Sequence, residues 1–236
     1  MNSSEEKIKK AFSEKNWNEI KASDSWQIFK IMAEFVEGFE KLSSIGPCVS
    51  IFGSARTKED NAYYQLAVDI AYKLTLSGYG VITGGGPGIM EAANRGARKG
   101  NGKSVGINIQ LPFEQFSNQY IDHDKLITFK HFFVRKVMFQ KYAQGFIVLP
   151  GGFGTFDEFF ESATLIQTGK IGRFPIILVG KEYWKGLIDW IEDKVMEEQK
   201  NISPEDTHLF TLVDTSDEAV EVINDFYSKY LLSPNF

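Results

Sequence analysis

Three glycine-rich segments sit where the chemistry of an anionic ligand would need them. Gly53-Ser54-Ala55-Arg56, Gly84-Gly85-Gly86-Pro87-Gly88 and Pro150-Gly151-Gly152-Phe153-Gly154-Thr155 each follow a short β-branched run and precede a helical stretch. Without a Cβ, backbone N–H groups can approach an anion closely and unusual φ values are tolerated. The N-terminus of the following helix adds positive potential. Together these features make an anion cradle, most simply for phosphate. One such loop alone could be no more than a tight turn, whereas two on the same sheet edge favour a ligand. No G-x-G-x-x-G stands in its required place and no G-x-x-x-x-G-K-[ST] occurs, so hydride transfer and P-loop phosphoryl transfer lose support. The expected ligand is smaller than a dinucleotide.

Next to the last cradle, Thr155-Phe156-Asp157-Glu158 brings two carboxylates to a helix start. T-x-x-E is also the pattern of a capping box, whose two side chains satisfy each other's backbone donors. The same pattern recurs at Thr215-Ser216-Asp217-Glu218 with nothing chemical around it. Only the glycines ahead of Thr155 therefore raise Glu158 above a cap. Arg135-Lys136 reads by default as a solvated cation pair, and Cys48 as a small buried hydrophobe. His123, His131 and His208 are scattered, and H-E-x-x-H, C-x-x-C and G-x-S-x-G are all missing from the sequence. No metal, no cofactor and no hydrolase-type serine nucleophile are expected.

The elements that must hold these residues read as an α/β chain. Strands are expected near 48–53, 80–83, 104–109, 125–129, 145–149 and 174–179, with a weak one at 209–213. Helices are expected at 60–77, 88–99, 131–143, 155–169, 183–199 and 216–231. Alternation of this kind predicts a doubly wound, Rossmann-like parallel sheet of about six to seven strands, with ligands at the carboxyl ends of the strands. Residues 1–44 form a separate helical extension ahead of the main domain, 45–236. Its apolar stripe, Trp26, Phe29, Met32, Ala33, Val36 and Phe39, has helical spacing and is expected to pack on this subunit or a twin. The aperiodic stretch from Gln110 to Asp124 is a candidate lid. A net charge of −5 gives no basic field for nucleic acid or an anionic membrane. Apolar runs are too short to span a bilayer, and a single cysteine with no signal-peptide pattern suits a reducing cytoplasm.

The run Pro150-Gly151-Gly152-Phe153-Gly154-Thr155-Phe156-Asp157-Glu158 resembles the PGGxGTxxE motif of the LOG (Lonely Guy) family, cytokinin riboside 5′-monophosphate phosphoribohydrolases once labelled possible lysine decarboxylases. Further matches are Gly84-Gly85-Gly86-Pro87-Gly88-Ile89-Met90-Glu91, Leu111-Pro112 with Glu114-Gln115 and Asn118-Gln119-Tyr120, and Arg135-Lys136-x-x-Phe139. The similarity covers about residues 46–200. It implies a Rossmann-like fold, a homodimer or larger homo-oligomer, and cleavage of a nucleoside 5′-monophosphate to free base and ribose 5-phosphate. On the same grounds Glu158 becomes the catalytic carboxylate and Arg135 its basic partner. Gly53, Ser54, Gly84, Gly85, Gly86, Gly88, Glu91, Lys136, Gly151, Gly152, Gly154 and Thr155 are expected to bind the phosphate and ribose. The second glycine motif resembles the variant of bacterial members, which leaves AMP and cytokinin nucleotides both open as substrates. The decarboxylase label fits poorly, because that chemistry normally uses pyridoxal phosphate on a lysine and neither glycine motif contains one. A non-catalytic carrier of a phosphorylated ligand, like the molybdenum-cofactor carriers, is the rival reading.

Overall fold

The computed structural model describes residues 17–111, 117–230 and 235. The chain opens with helix α1 (Trp17–Leu42) and then alternates: β1 (Cys48–Phe52), α2 (Ala62–Leu76), β2 (Gly80–Thr83), α3 (Ile89–Lys99), β3 (Ser104–Ile109), β4 (Leu126–Phe129) and α4 (Phe132–Tyr142). It continues with β5 (Ala143–Val148), α5 (Phe153–Gln167), β6 (Ile176–Val179), α6 (Lys181–Trp190), β7 (Thr211–Val213) and α7 (Ser216–Lys229). The expected helix over 183–199 is α-helical only to Trp190 and π-helical over Ile191–Glu198. All seven strands are parallel, in the order β4-β3-β2-β1-β5-β6-β7. The expected Rossmann-like α/β sheet is the one the chain forms.

Both faces of the strands are apolar because helices cover both sides. One layer joins Leu42, Met138, Phe139, Phe159 and Trp184 to the sheet. The opposite layer joins Ala67, Ile70, Leu74, Ala92 and Ile223. The chain runs outward from β1 to β4 and then returns to β5 on the other side of β1. The switch point of the sheet is therefore the crevice between the carboxyl ends of β1 and β5, where open α/β sheets take their ligands. Ile51 pairs with Ile147 and Phe52 with Val148, so the two strands end level.

Helix α1 uses a different face from the one its spacing suggested. Ile31 and Phe35 pack against the core, and Gly38 and Leu42 are buried. Gly38 faces α4, where a Cβ would lie 2.7 Å from Met138 Cε. The stripe Trp26, Phe29, Met32, Val36 instead points outward, with Trp26 70% and Val36 64% exposed. Ala33 and Phe39 are exposed as well. Periodicity specifies that a helix has an apolar side, and here there are two; the one carrying Ile31, Phe35 and Leu42 meets the core. Glu34 sits between the two faces, and its Oε2 accepts from the N–H groups of Lys130 and His131 at 3.2 Å. His131 is the N-cap of α4 and supplies no side-chain cap of its own, so a carboxylate from α1 satisfies this helix start.

Among the described residues, no helix is long and apolar enough to cross a membrane. Residues 112–116 of the candidate lid, with Phe113 and Phe116, lie outside the described residues. The segment after them is tied down. Asn118 donates from its backbone to Gly85 O at 2.9 Å and from Nδ2 to Gly86 O and Asn94 Oδ1. Asn94 is fully buried, accepts from Thr83 Oγ1 at 2.6 Å and donates to Ser104 Oγ at 2.9 Å. This satisfied polar network fixes the loop after β2 to the rest of the sheet edge.

Candidate functional site

A cavity of about 790 Å³ opens at the switch point. Its walls come from the loop after β1, the end of β2, the start of α4 and the loop between β5 and α5. The loops are joined directly: Ser54 donates from its backbone to Pro150 O at 3.0 Å, and Ile89 donates to Ser54 O at 3.0 Å. Gly53 is needed for this closeness, since a Cβ there would stand 2.6 Å from Ile89 Cγ2.

Helix α5 begins earlier than the T-x-x-E pattern suggested. Gly152 is its N-cap and no side chain caps it, so Thr155 is already the third helical residue. Thr155 and Glu158 thus make no capping box. The box does form at the other occurrence, where Thr215 Oγ1 accepts from Glu218 N and Glu218 Oε2 accepts from Thr215 N at 2.9 Å. The helix starts three residues earlier than a Thr155 cap would place it, and Glu158 is only 5% exposed. Its Oε2 has no hydrogen-bond partner among the described residues. Burial pushes its carboxyl up to about 7, against the opposing pull of Arg135 and Lys136. A carboxyl group balanced near neutrality in a cavity can serve as base or as charge stabiliser.

Arg135 faces the same cavity from α4. Its Nε donates to Ile107 O at 3.0 Å, and its guanidinium lies 5.2 Å from the Phe139 ring centroid. Burial lowers its pKa from the usual arginine value, while the nearby negative charge of Glu158 opposes that shift. No direct ion pair joins Arg135 and Glu158 among the described residues. Gly84 creates the space for this cation: a Cβ there would be 2.7 Å from Arg135 Nη2.

Of the residues singled out from sequence, Gly53, Ser54, Gly84, Arg135, Gly151, Gly152, Gly154, Thr155 and Glu158 line the cavity together. Gly85, Gly86, Gly88, Glu91 and Lys136 are not among its lining residues. Gly85 and Gly86 are engaged with Asn118, and Gly88, at φ +69°, packs against Ser54 and Ala55 at the start of α3. Glu91 accepts from Tyr64 Oη at 3.4 Å. Lys136 is held by Asp157 at 2.8 Å and Glu161 at 3.3 Å. Adjacent residues on a helix point about 100° apart, so Arg135 and Lys136 cannot share one target. Sequence reasoning missed Phe153, which is 93% exposed at the rim, and Tyr183, whose hydroxyl donates to Gly151 O at 2.6 Å. It also left Arg56 as part of a loop without a role. No pattern in the sequence announces these three, and Tyr183 meets Gly151 only through the fold.

Residues 90–223 match the family described as possible lysine decarboxylase. The chain belongs to this family, the LOG family. Curated relatives of this LOG-family chain include cytokinin riboside 5′-monophosphate phosphoribohydrolase LOG1 of Arabidopsis thaliana, 28% identical over 78% of this chain and 84% of that protein. Another is the probable cytokinin riboside 5′-monophosphate phosphoribohydrolase LOGL6 of Oryza sativa subsp. japonica, 26% identical over 88% of this chain and 82% of that protein. Among solved structures, the molybdenum cofactor binding protein of Rippkaea orientalis superposes with a TM-score of 0.53 at 20% identity, covering 76% of the LOG-family chain and 95% of its own. The Moco carrier protein of Chlamydomonas reinhardtii gives 0.54 at 18%, covering 78% and 99%. At these identities the likeness is one of fold.

Proposed function

We propose that this LOG-family protein hydrolyses the N-glycosidic bond of a nucleoside 5′-monophosphate, AMP or a cytokinin riboside monophosphate, to free base and ribose 5-phosphate. The observation that carries the reading is Glu158: a buried carboxyl with a free oxygen, its pKa raised to about 7, in a glycine-walled cavity beside a desolvated arginine. Cleavage of a ribosyl C–N bond passes through an oxocarbenium-like state. By analogy with O-glycoside hydrolysis, an ionised Glu158 near C1′ would stabilise the positive charge there and orient or deprotonate the attacking water. Arg135 would bind charge or lone pairs on the substrate beside it.

Two glycines at the start of α5, Gly152 and Gly154, support a ligand on independent grounds. A Cβ at Gly152 or Gly154 would meet no protein atom within 4 Å, and neither residue has a φ in the left-handed region. The fold of this chain therefore does not require glycine at either position, and close approach of a bound molecule would. Gly154→Ala is expected to raise stability by up to about 1 kcal/mol, since glycine is a poor helix residue. The same substitution should cost about 1–3 kcal/mol of substrate binding through crowding, roughly 5- to 150-fold in KM. Thermal melting and steady-state kinetics read the two effects separately.

The decarboxylase description receives no support from the cavity, because no lysine is found among its lining residues to carry pyridoxal phosphate. The deciding experiment incubates the protein with AMP, GMP, CMP, IMP and isopentenyladenosine monophosphate and follows free base by chromatography. Base release establishes the hydrolase and ranks its substrates. Nucleotide binding without base release would turn the assignment to a carrier of phosphorylated ligands.

The reading extends to assembly. Residues 45–236 would carry the activity in a reducing cytoplasm, the compartment suited to the single buried Cys48, and the helix ahead of them would join copies of the chain. The outward stripe on α1 supports this, as a contiguous apolar face of that kind favours a protein contact. Light scattering of the wild type should give a multiple of 26.7 kDa. Phe29→Glu with Val36→Glu should shift it toward the monomer, and an unchanged mass would remove the stripe from the assembly.

A further inference from the structure

The cavity contains a second guanidinium that neither the motifs nor the reading above assigns. Arg56 lines it from the loop after β1, and its side chain is exposed. Only its backbone is engaged, the N–H donating to Ser54 Oγ at 3.1 Å. The guanidinium has no ion pair or hydrogen bond among the described residues. The loop presenting it is firmly positioned, because Ser54 is bonded on one side to Pro150 and on the other to Ile89. Arg135 differs: it belongs to α4, is anchored to Ile107 O, is half-buried and lies in the field of Glu158 and Asp157.

A phosphomonoester carries nearly two negative charges at neutral pH, and two carboxylates, Asp157 and Glu158, line the cavity beside Arg135. Like charges at close range are costly in a partly desolvated site. Asp157 is paired with Lys136 at 2.8 Å, so a dianion placed on Arg135 would be opposed chiefly by Glu158, whereas one placed on Arg56 would lie on the loop that Ser54 joins to Pro150. On the proposed reaction, Glu158 must also stand at C1′, and the phosphate remains attached through C5′, at the other end of the sugar. We infer that Arg56 clamps the phosphate of the ligand, which leaves Arg135 to the sugar and base beside Glu158. The inference rests on the phosphoribohydrolase reading for the identity of the sugar and base, but the phosphate contact can be measured without turnover.

Calorimetric titration with ribose 5-phosphate and with inorganic phosphate tests the assignment on wild type, Arg56→Gln, Arg56→Lys and Arg135→Gln. The expected result is a loss of 10-fold or more in ribose 5-phosphate affinity for Arg56→Gln, with partial recovery in Arg56→Lys and a smaller loss in Arg135→Gln. Kinetically, Arg56→Gln should raise KM for the nucleotide with little change in kcat. Its preference for nucleotide over the matching nucleoside should fall by the same factor. Unchanged ribose 5-phosphate binding in Arg56→Gln, or a larger loss in Arg135→Gln, would overturn the assignment. A wild type that binds ribose 5-phosphate through Arg56 but releases base from no nucleotide keeps Arg56 as a phosphate clamp and removes the hydrolase reading. A wild type that binds neither probe overturns the phosphate clamp, and base release alone then decides the hydrolase reading.

Discussion

Glu158→Gln is expected to fold and to lose turnover by about 10²-fold or more, the usual effect of removing a positioned charge stabiliser. Gln keeps the shape of the side chain and removes only its ability to ionise. Because Thr155 does not cap α5, no helix start depends on this carboxylate, and the loss cannot be assigned to an unravelled helix. The wild-type pH profile should agree. If the ionised carboxylate acts, kcat/KM rises with pH and levels off above an apparent pKa near 7, the value to which burial pushes Glu158. A rate that falls across the same range would make Glu158 the proton donor to the leaving base. Full turnover in folded Glu158→Gln would end its candidacy altogether.

The second large effect is on stability. In the unfolded chain Glu158 titrates near 4.5, and in the folded one near 7. Below pH 4.5 both states carry the proton and burial of the neutral carboxyl costs nothing extra. Between 4.5 and 7 the unfolded state has released its proton while the folded state still holds it, so the unfolded state gains. Stability contributed by this group is therefore full below pH 4.5 and is lost as pH rises through 7, by about 3 kcal/mol in total. The measurement is denaturant unfolding of wild type and Glu158→Gln at pH 4 and pH 8. The difference between the two proteins should move by about 3 kcal/mol in favour of the variant at the higher pH, and other titrating groups cancel in that comparison. A constant difference would mean that Glu158 is not desolvated in solution. A cavity that holds a carboxyl at this cost has traded stability for reactivity, as sites of chemistry commonly do.

The boundary between sequence and structure follows the range of the forces involved. Strand and helix order was legible because it depends on local pattern: β-branched runs such as Cys48–Phe52 and Ile176–Val179, helical spacing between them, and glycines at the turns. Those same glycines marked the edge of the sheet that carries the cavity, and the nine-residue run from Pro150 to Glu158 carried the family. Tertiary structure decided what local pattern leaves equal. Thr155–Glu158 and Thr215–Glu218 are the same motif, yet only the second is a cap, because the first helix starts at Phe153 under contacts from β1 and α6. Arg135 and Lys136 are adjacent, and packing against Gly84 and Ile107 sends one into the cavity while Asp157 and Glu161 hold the other outside. Helix α1 has two apolar sides, and only contact with the rest of the chain makes the side of Ile31, Phe35 and Leu42 the one that meets the core. Arg56 gains its place only when the loop after β1 is fixed to Pro150, nearly a hundred residues away. Sequence pattern determines which segments form and which residues have the chemistry; side-chain direction, desolvation and partnership depend on contacts between distant segments, and these exist only once the sheet has closed around its switch point.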